Sequence, residues 1–240
     1  MQEPLHTPLY AAMLNATSVR QGTRLLDVGC GGGAASKLAA ERGAQVSGLD
    51  AAAGLLAFAR QGVPSGDFRV GDMESLPFAD NAFDVVFAAS SLQFAGNALA
   101  ALGEFGRVCA AGGRIVAGLF GPPQNVASAT IMKAVGDLMP APPPGPGPFA
   151  LSAPGKLEGL MAEAGFTVLE SSEVDCPFSY ADFATCWRAL SSAGPFQGIM
   201  KTLGESRTKS AMRSAVEPFQ RADGSILIQP NVLKYVVAAR

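Results

Sequence analysis

Through the first half of the chain, short apolar runs alternate with stretches of helical periodicity. Residues 23–28 are an apolar run ending in a glycine cluster and read as a buried strand. Residues 34–42 follow as a helix that Gly43 stops. A second strand spans 44–50. A second helix spans 51–61, with Leu55, Phe58 and Ala59 on one face. Short strands follow at 67–70 and 83–88. Asn97 is placed to cap a helix on which Leu99, Leu102, Phe105 and Val108 recur at helical spacing. Gly112 and Gly113 then turn the chain into a fifth strand, 114–119. Strands alternating with helices of about ten residues predict right-handed crossovers and a parallel sheet covered on both faces.

The pattern breaks after Phe120. Residues 121–150 are rich in Pro and Gly, and 140–148 cannot be regular structure, although 127–138 has a helical pattern. Periodicity resumes with Leu157, Leu160, Met161 and Ala164 on a helix stopped by Gly165, followed by a strand at 166–174. Residues 179–222 read as helices, the first opened by Ser179 with Asp182 three residues on. Strand character returns at 226–228 and 232–237. The expectation is one α/β domain over 1–240, with insertions at 121–150 and 179–224. In open α/β sheets ligands bind at the carboxyl ends of the strands, where these insertions would form a lid.

Composition narrows the function. Of 240 residues, 48% are hydrophobic and 16% charged, which fits a packed globular chain. Eighteen basic against 20 acidic side chains give a net charge of −2 and argue against general nucleic-acid binding, which needs a basic face. No apolar stretch is long enough to span a bilayer, and the start of the chain lacks the features of a secretion signal, so a cytoplasmic protein without a membrane partner is expected. Cys30, Cys109, Cys176 and Cys186 form no Cys-x-x-Cys pair, and His6 is the only histidine. A Cys/His zinc site is therefore not expected, nor a triad built on a deep histidine. His6 itself reads as a solvated side chain in a terminal arm.

The chemistry concentrates at the first strand end. In Leu25-Leu26-Asp27-Val28-Gly29-Cys30-Gly31-Gly32-Gly33 a strand enters a glycine loop and then a helix, whose N-terminus offers free N–H groups. Gly29-x-Gly31-x-x-Ala34, with Asp50 about 20 residues on, also fits a dinucleotide fingerprint. Three features weigh the other way. Asp27 lies inside the motif, where a carboxylate would repel a pyrophosphate but help to hold a cationic or amino-bearing ligand. Asp72 and Met73 follow the third strand, and the polar stretch Ser90-Ser91-Leu92-Gln93-Phe94 follows the fourth. Asp27, Asp50 and Asp72 thus fall at or just after three successive strand ends. Asp84 reads as structural.

With these motifs, and with Gly48-Leu49-Asp50, Gly71-Asp72-Met73-Glu74-Ser75-Leu76-Pro77-Phe78, Phe83-Asp84-Val85-Val86 and the segment 107–114, the chain resembles the class I S-adenosylmethionine-dependent methyltransferases. The likeness is to the small-molecule group that includes ubiquinone and menaquinone methyltransferases (methyltransferase type 11). It covers about 20–120 closely and 150–175 plus the last strand loosely. It implies a Rossmann-like, doubly wound, mostly parallel seven-stranded sheet with an antiparallel last strand. It also implies S-adenosylmethionine as cofactor. The loop Gly29, Cys30, Gly31 would wrap its methionine part, with Asp27 near the amino group. Asp50 would take the ribose hydroxyls, Ala51 would lie beside the adenine, Asp72 would accept from the adenine amino group, and Met73 would pack on the ring. The backbone of Ala88 to Ser90 would touch the methionine end, and Tyr10 would close over the cofactor.

Methyl transfer from a sulfonium is an in-line displacement in which the protein mainly supplies orientation. Many members of the resembled group have a histidine after the fourth strand. Here Gln93 stands there, which can orient an acceptor but cannot take a proton near neutral pH. The catalytic residue is therefore unassigned. The Leu92-Gln93-Phe94 segment is similar to one in the malonyl-carrier-protein methyltransferases of biotin synthesis, a likeness of three residues only. Phe183 and Trp187, one helical turn apart in the second insertion, are candidates to line an apolar acceptor pocket. The expected partner is a small, apolar or aromatic molecule, and the expected state is monomer or homodimer. Other readings are an S-adenosylmethionine-binding enzyme of different chemistry such as a cyclase, a non-catalytic partner subunit, and a nicotinamide enzyme.

Overall fold

The computed structural model describes residues 3–141 and 147–240, so most of the Pro-Gly run at 140–148 lies outside the described residues. Five strands enter the sheet in parallel: β1 (Arg24–Val28), β2 (Gln45–Asp50), β3 (Asp67–Val70), β4 (Phe83–Ala89) and β5 (Cys109–Phe120). β6 (Thr167–Asp175) pairs antiparallel with β9 (Val232–Ala239), which pairs antiparallel with β5. The spatial order is β3-β2-β1-β4-β5-β9-β6. β9 alone runs against the other strands of this sheet, and the strand order reverses between β1 and β4. This is the doubly wound, Rossmann-like architecture with an antiparallel last strand.

Strand side chains alternate between two helical layers. Leu25, Val85 and Phe87 face a core shared with α1 (Thr7–Ala16), α2 (Ala34–Glu41) and α3 (Ala53–Gly62). Leu26, Val28, Val86 and Ala88 face a second core built with α4 (Ala98–Val108) and α6 (Lys156–Glu163). Asn97 caps α4, its Oδ1 accepting from the N–H groups of Leu99 and Ala100 at 3.1 Å each. Gly43 and Gly165 follow their helices at φ +82° and +87°, a backbone region that glycine enters without a Cβ penalty.

The pattern reading misses two elements and one boundary. α1 has an apolar face, Leu9, Tyr10, Met13 and Leu14, that is buried against the sheet, so this segment is core and not a terminal arm. The fifth strand starts at Cys109, before the glycines that read as a turn. Residues 178–180 form β7 (Phe178–Tyr180), paired antiparallel with β8 (Ile226–Ile228) in a separate two-stranded sheet. Ser179 therefore sits in a strand. The cap of the following helix is Asp182, whose Oδ1 accepts from Thr185 N at 2.7 Å.

Residues 121–150 and 179–224 contribute α5 (Ala127–Gly136), α7 (Phe183–Ser191), α8 (Gly194–Leu203) and α9 (Glu205–Val216). α5 and α7 both pack on α9. Asn231 pins this helical layer to the sheet. Its Oδ1 accepts from Ser128 N at 2.9 Å, its Nδ2 donates to Ile228 O at 2.8 Å, and its own N–H donates to Asp175 Oδ1 at 2.9 Å. The side chain is fully buried, so truncation would orphan two backbone groups away from water. Asn231→Ala is expected to lower unfolding stability by about 2–3 kcal/mol, read from urea denaturation of the two proteins.

Candidate functional site

The glycine loop closes where β1 meets α2. Gly29, Gly31 and Gly33 take φ of +75°, +53° and +84°. At Gly29 a Cβ would stand 2.3 Å from Ser91 Cβ, so both the conformation and the space require glycine. The N–H groups of Gly29 and Cys30 donate to Leu49 O at 2.7 and 3.1 Å, tying the loop to β2. Asp50 completes the tie: Oδ2 accepts from Gly31 N at 2.8 Å and Oδ1 from Ala52 N at 2.8 Å. This second bond delays the helix start to Ala53, two residues later than the pattern suggests. Each carboxylate oxygen keeps a further lone pair, so Asp50 can still accept from a vicinal diol.

A crevice of about 190 Å³ opens beside this loop, lined by His6, Tyr10, Asp27, Gly29, Cys30, Gly31, Ala35, Ala89 and Ser90. Asp27 is 2% exposed, and its Oδ2 accepts from Ser36 Oγ on α2 at 2.7 Å. Tyr10 enters from α1. Asp72 is exposed after β3, where its Oδ1 accepts from Glu74 N at 2.9 Å in an Asx turn. Met73 is half-buried against the α4 layer, and Ala51 is exposed at the end of β2. Asp27, Gly29, Cys30, Gly31 and Tyr10 are thus brought together in one crevice, while Asp50, Ala51, Asp72 and Met73 lie along the ends of β2 and β3. A larger cavity of about 770 Å³ lies at the opposite, amino-terminal end of the strands, with Arg20, Asp84 and Arg114 in its wall. There Asp84 has a structural place. Arg24 holds it at 2.6 Å, and this hydrogen bond keeps its carboxyl below the ordinary range.

Several expected positions move. Ala88 is fully buried with its side chain in the α4 core, and the crevice takes the next two residues instead. Gln93 is 2% exposed on a short 3₁₀ turn, does not line the crevice, and has no partner for Oε1. Phe183 and Trp187 do not line it either. They are buried under α9, with the Arg213 guanidinium 4.0 Å from the Phe183 ring centroid and Lys209 Nζ 5.6 Å from that of Trp187. Their common face packs the insertion together.

His6 is the residue that sequence reasoning misplaced. It is 6% exposed, between Tyr10, Phe120 and Phe178, with ring centroids 6.2, 5.5 and 5.7 Å away. Nothing in the pattern could have located it, because Phe120 and Phe178 come from β5 and β7, more than 100 residues away. Among the described residues its Nε2 has no hydrogen-bond partner, and neither has Ser90 Oγ in the same crevice wall. A buried unpaired polar group costs about 1–3 kcal/mol, so two in one cavity wall mark a site that a ligand completes. Ser90 adds strain with φ +56°, rare for a residue with a side chain. Burial lowers the His6 pKa to about 4, so the imidazole is neutral at pH 7. Burial also pushes the thiols of Cys109 and Cys176 up to about 11 and that of Cys186 to about 12, which leaves these three as inert core residues.

Residues 26–117 match the family model described as a methyltransferase domain. A malonyl-[acyl-carrier protein] O-methyltransferase of Serratia marcescens is 39% identical over 104 residues, which is 43% of this chain and 41% of that protein. A demethylmenaquinone methyltransferase of Renibacterium salmoninarum is 35% identical over 128 residues, 51% of this chain and 54% of that protein. The chain thus spans about half the length of these curated relatives. Over nearly its whole length the fold is similar to the crystal structure of the [4+2]-cyclase SpnF, with a TM-score of 0.63, 22% identity, and coverage of 97% of this chain and 80% of that one. The architecture is the Rossmann-like fold of such neighbours, and residues 26–117 are similar to the methyltransferase domain that the family model describes.

The neutral His6 couples folding to acidity. Its folded pKa lies below the unfolded value of 6.5, so the unfolded chain binds the proton more tightly. This contribution is absent above pH 6.5 and grows as a destabilisation as pH falls from 6.5 toward 4. It reaches about 3 kcal/mol, and His6→Phe is expected to remove that part of the pH dependence in urea titrations at pH 7, 5.5 and 4.5.

Proposed function

We propose that this chain transfers a methyl group from S-adenosylmethionine to a small, apolar or aromatic acceptor. The carrying observation is the crevice beside the glycine loop, with buried Asp27 in its wall at the switch between β1 and β4 and the Asp50 carboxylate hydrogen-bonded to the same loop at Gly31. The residues fit this cofactor. The positive-φ glycines present bare backbone to the crevice, and the Asp27 carboxyl in its wall is placed to accept from a ligand ammonium. Asp50 would hold the ribose diol, Asp72 the adenine amino group, Met73 and Ala51 the ring, and Tyr10 the sulfur-bearing arm. The cofactor when bound supplies an already activated methyl group.

The chain's own contribution is orientation and exclusion of water. α1 and the helices of the two insertions, 121–150 and 179–224, would act as a lid over the acceptor. Phe120 and Phe178 beside His6 supply the apolar wall. The cyclase likeness in fold keeps a second reading in view, that of another reaction on the same bound cofactor. Formation of S-adenosylhomocysteine separates the two. No helix among the described residues is long and apolar enough to cross a membrane.

Calorimetric titration with S-adenosylmethionine, S-adenosylhomocysteine and NAD tests the cofactor. Micromolar binding of the first two is expected, with a loss of about 100-fold or more in Asp50→Ala and about tenfold in Asp72→Ala, each loss reflecting charge-assisted hydrogen bonds. Binding of NAD alone would overturn the reading.

A further inference from the structure

The methyltransferase reading leaves the acceptor's proton without a destination, since Gln93 cannot take it. His6 is the one imidazole of the chain, and it shares a crevice wall with the glycine loop and Ser90. Its ring is held on three sides by Tyr10, Phe120 and Phe178. This packing fixes the ring while leaving Nε2 without a partner among the described residues. The second unpartnered polar atom of that wall is Ser90 Oγ. In the tautomer with its proton on Nδ1, the neutral imidazole offers Nε2 as an acceptor, and with Ser90 Oγ–H as a donor the pair complements one chemical group: a hydroxyl that donates one hydrogen bond and accepts another.

Resting on the methyltransferase reading, we propose that His6 is a catalytic residue that binds the hydroxyl of an aromatic or enolic acceptor through Nε2 and takes its proton during methyl transfer. Ser90 Oγ–H donates to the same oxygen. In the step, the acceptor O–H bond breaks and its proton goes to Nε2. A lone pair of that oxygen forms the new bond to the methyl carbon, and the pair of the breaking carbon–sulfur bond stays on sulfur. The imidazolium then releases its proton to water. Burial makes the free imidazole a weak base, but the phenolate or enolate developing beside it favours the protonated ring. The other titratable groups lining the crevice are Tyr10 from α1, Asp27 from β1 and Cys30 from the loop. On β7, Tyr180 is buried two residues from Phe178, and desolvation raises its pKa. Asp27 is the one carboxyl group among them, and its Oδ2 accepts from Ser36 Oγ.

A single histidine makes the test clean. Protein labelled with ¹³C and ¹⁵N in the histidine ring gives one set of ring signals. S-adenosylhomocysteine is added first, then 1-naphthol, with 1-methylnaphthalene as the probe that lacks the hydroxyl. Naphthol is expected to shift the His6 Nε2 resonance, and methylnaphthalene to leave it in place. By calorimetry, His6→Phe should bind naphthol at least tenfold more weakly while binding S-adenosylhomocysteine within threefold of the unaltered protein. His6→Gln, which keeps a hydrogen-bond acceptor, should restore part of the naphthol affinity. Loss of S-adenosylhomocysteine binding in His6→Phe would make His6 a cofactor ligand and overturn the proposal. So would naphthol that leaves the resonance unmoved, or that binds both proteins equally. Failure of the unaltered protein to bind S-adenosylhomocysteine would overturn the cofactor reading itself, and that titration is separate from the His6 signals.

Discussion

The glycine loop can exist only because its backbone is held from two sides. Gly29 lies so close to Ser91 that no side chain fits, and the Asp50 carboxylate takes the Gly31 and Ala52 N–H groups. Loop, β2 and the start of α3 are thereby one rigid unit. Ser91 closes the circle, its Oγ donating to Val28 O at 2.6 Å, so β4 is registered against β1 at the same point. The crevice is what remains in the middle of this arrangement. Its shape is set by backbone, and the few side chains that reach it, Asp27 above all, carry its charge.

That economy explains why carboxylates have separate tasks. Asp27 is buried and fixed by Ser36, Asp50 is half-buried and bonded to two amides, and Asp72 is exposed in a turn. Each is at or just past the end of a parallel strand, where the sheet leaves a gap and helix termini supply N–H groups. Asp84, at the other end of β4, pairs with Arg24 and holds strand starts together. A carboxylate's task here follows from which end of a strand it occupies.

The surroundings of His6 are built differently. They gather α1, the end of β5 and β7, three elements distant in sequence, around one imidazole. The aromatic side chains nearest His6 are not those that a helical spacing singles out. Phe183 and Trp187 share a face, as their spacing predicts, but α9 covers that face with Arg213 and Lys209. Amphipathicity identifies a buried face without saying what covers it.

By itself the sequence determined the parallel strands, the helices that alternate with them and the glycine loop. Those features are local: a strand, a glycine turn and a helix lie within a dozen residues, and the physics of φ and of strand alternation acts over that range. Asn97 as a cap and Asp50 after β2 were legible for the same reason. Three kinds of information came only from tertiary structure. The burial of α1 depends on a sheet face made by distant strands. The pairing of β7 with β8 joins segments some fifty residues apart, so 226–228 shows strand character alone while its partner run at 178–180 does not. The conversion of His6 from a terminal side chain into a neutral, unpartnered imidazole needs Phe120 and Phe178 around it, and burial by distant residues leaves no mark on the local pattern.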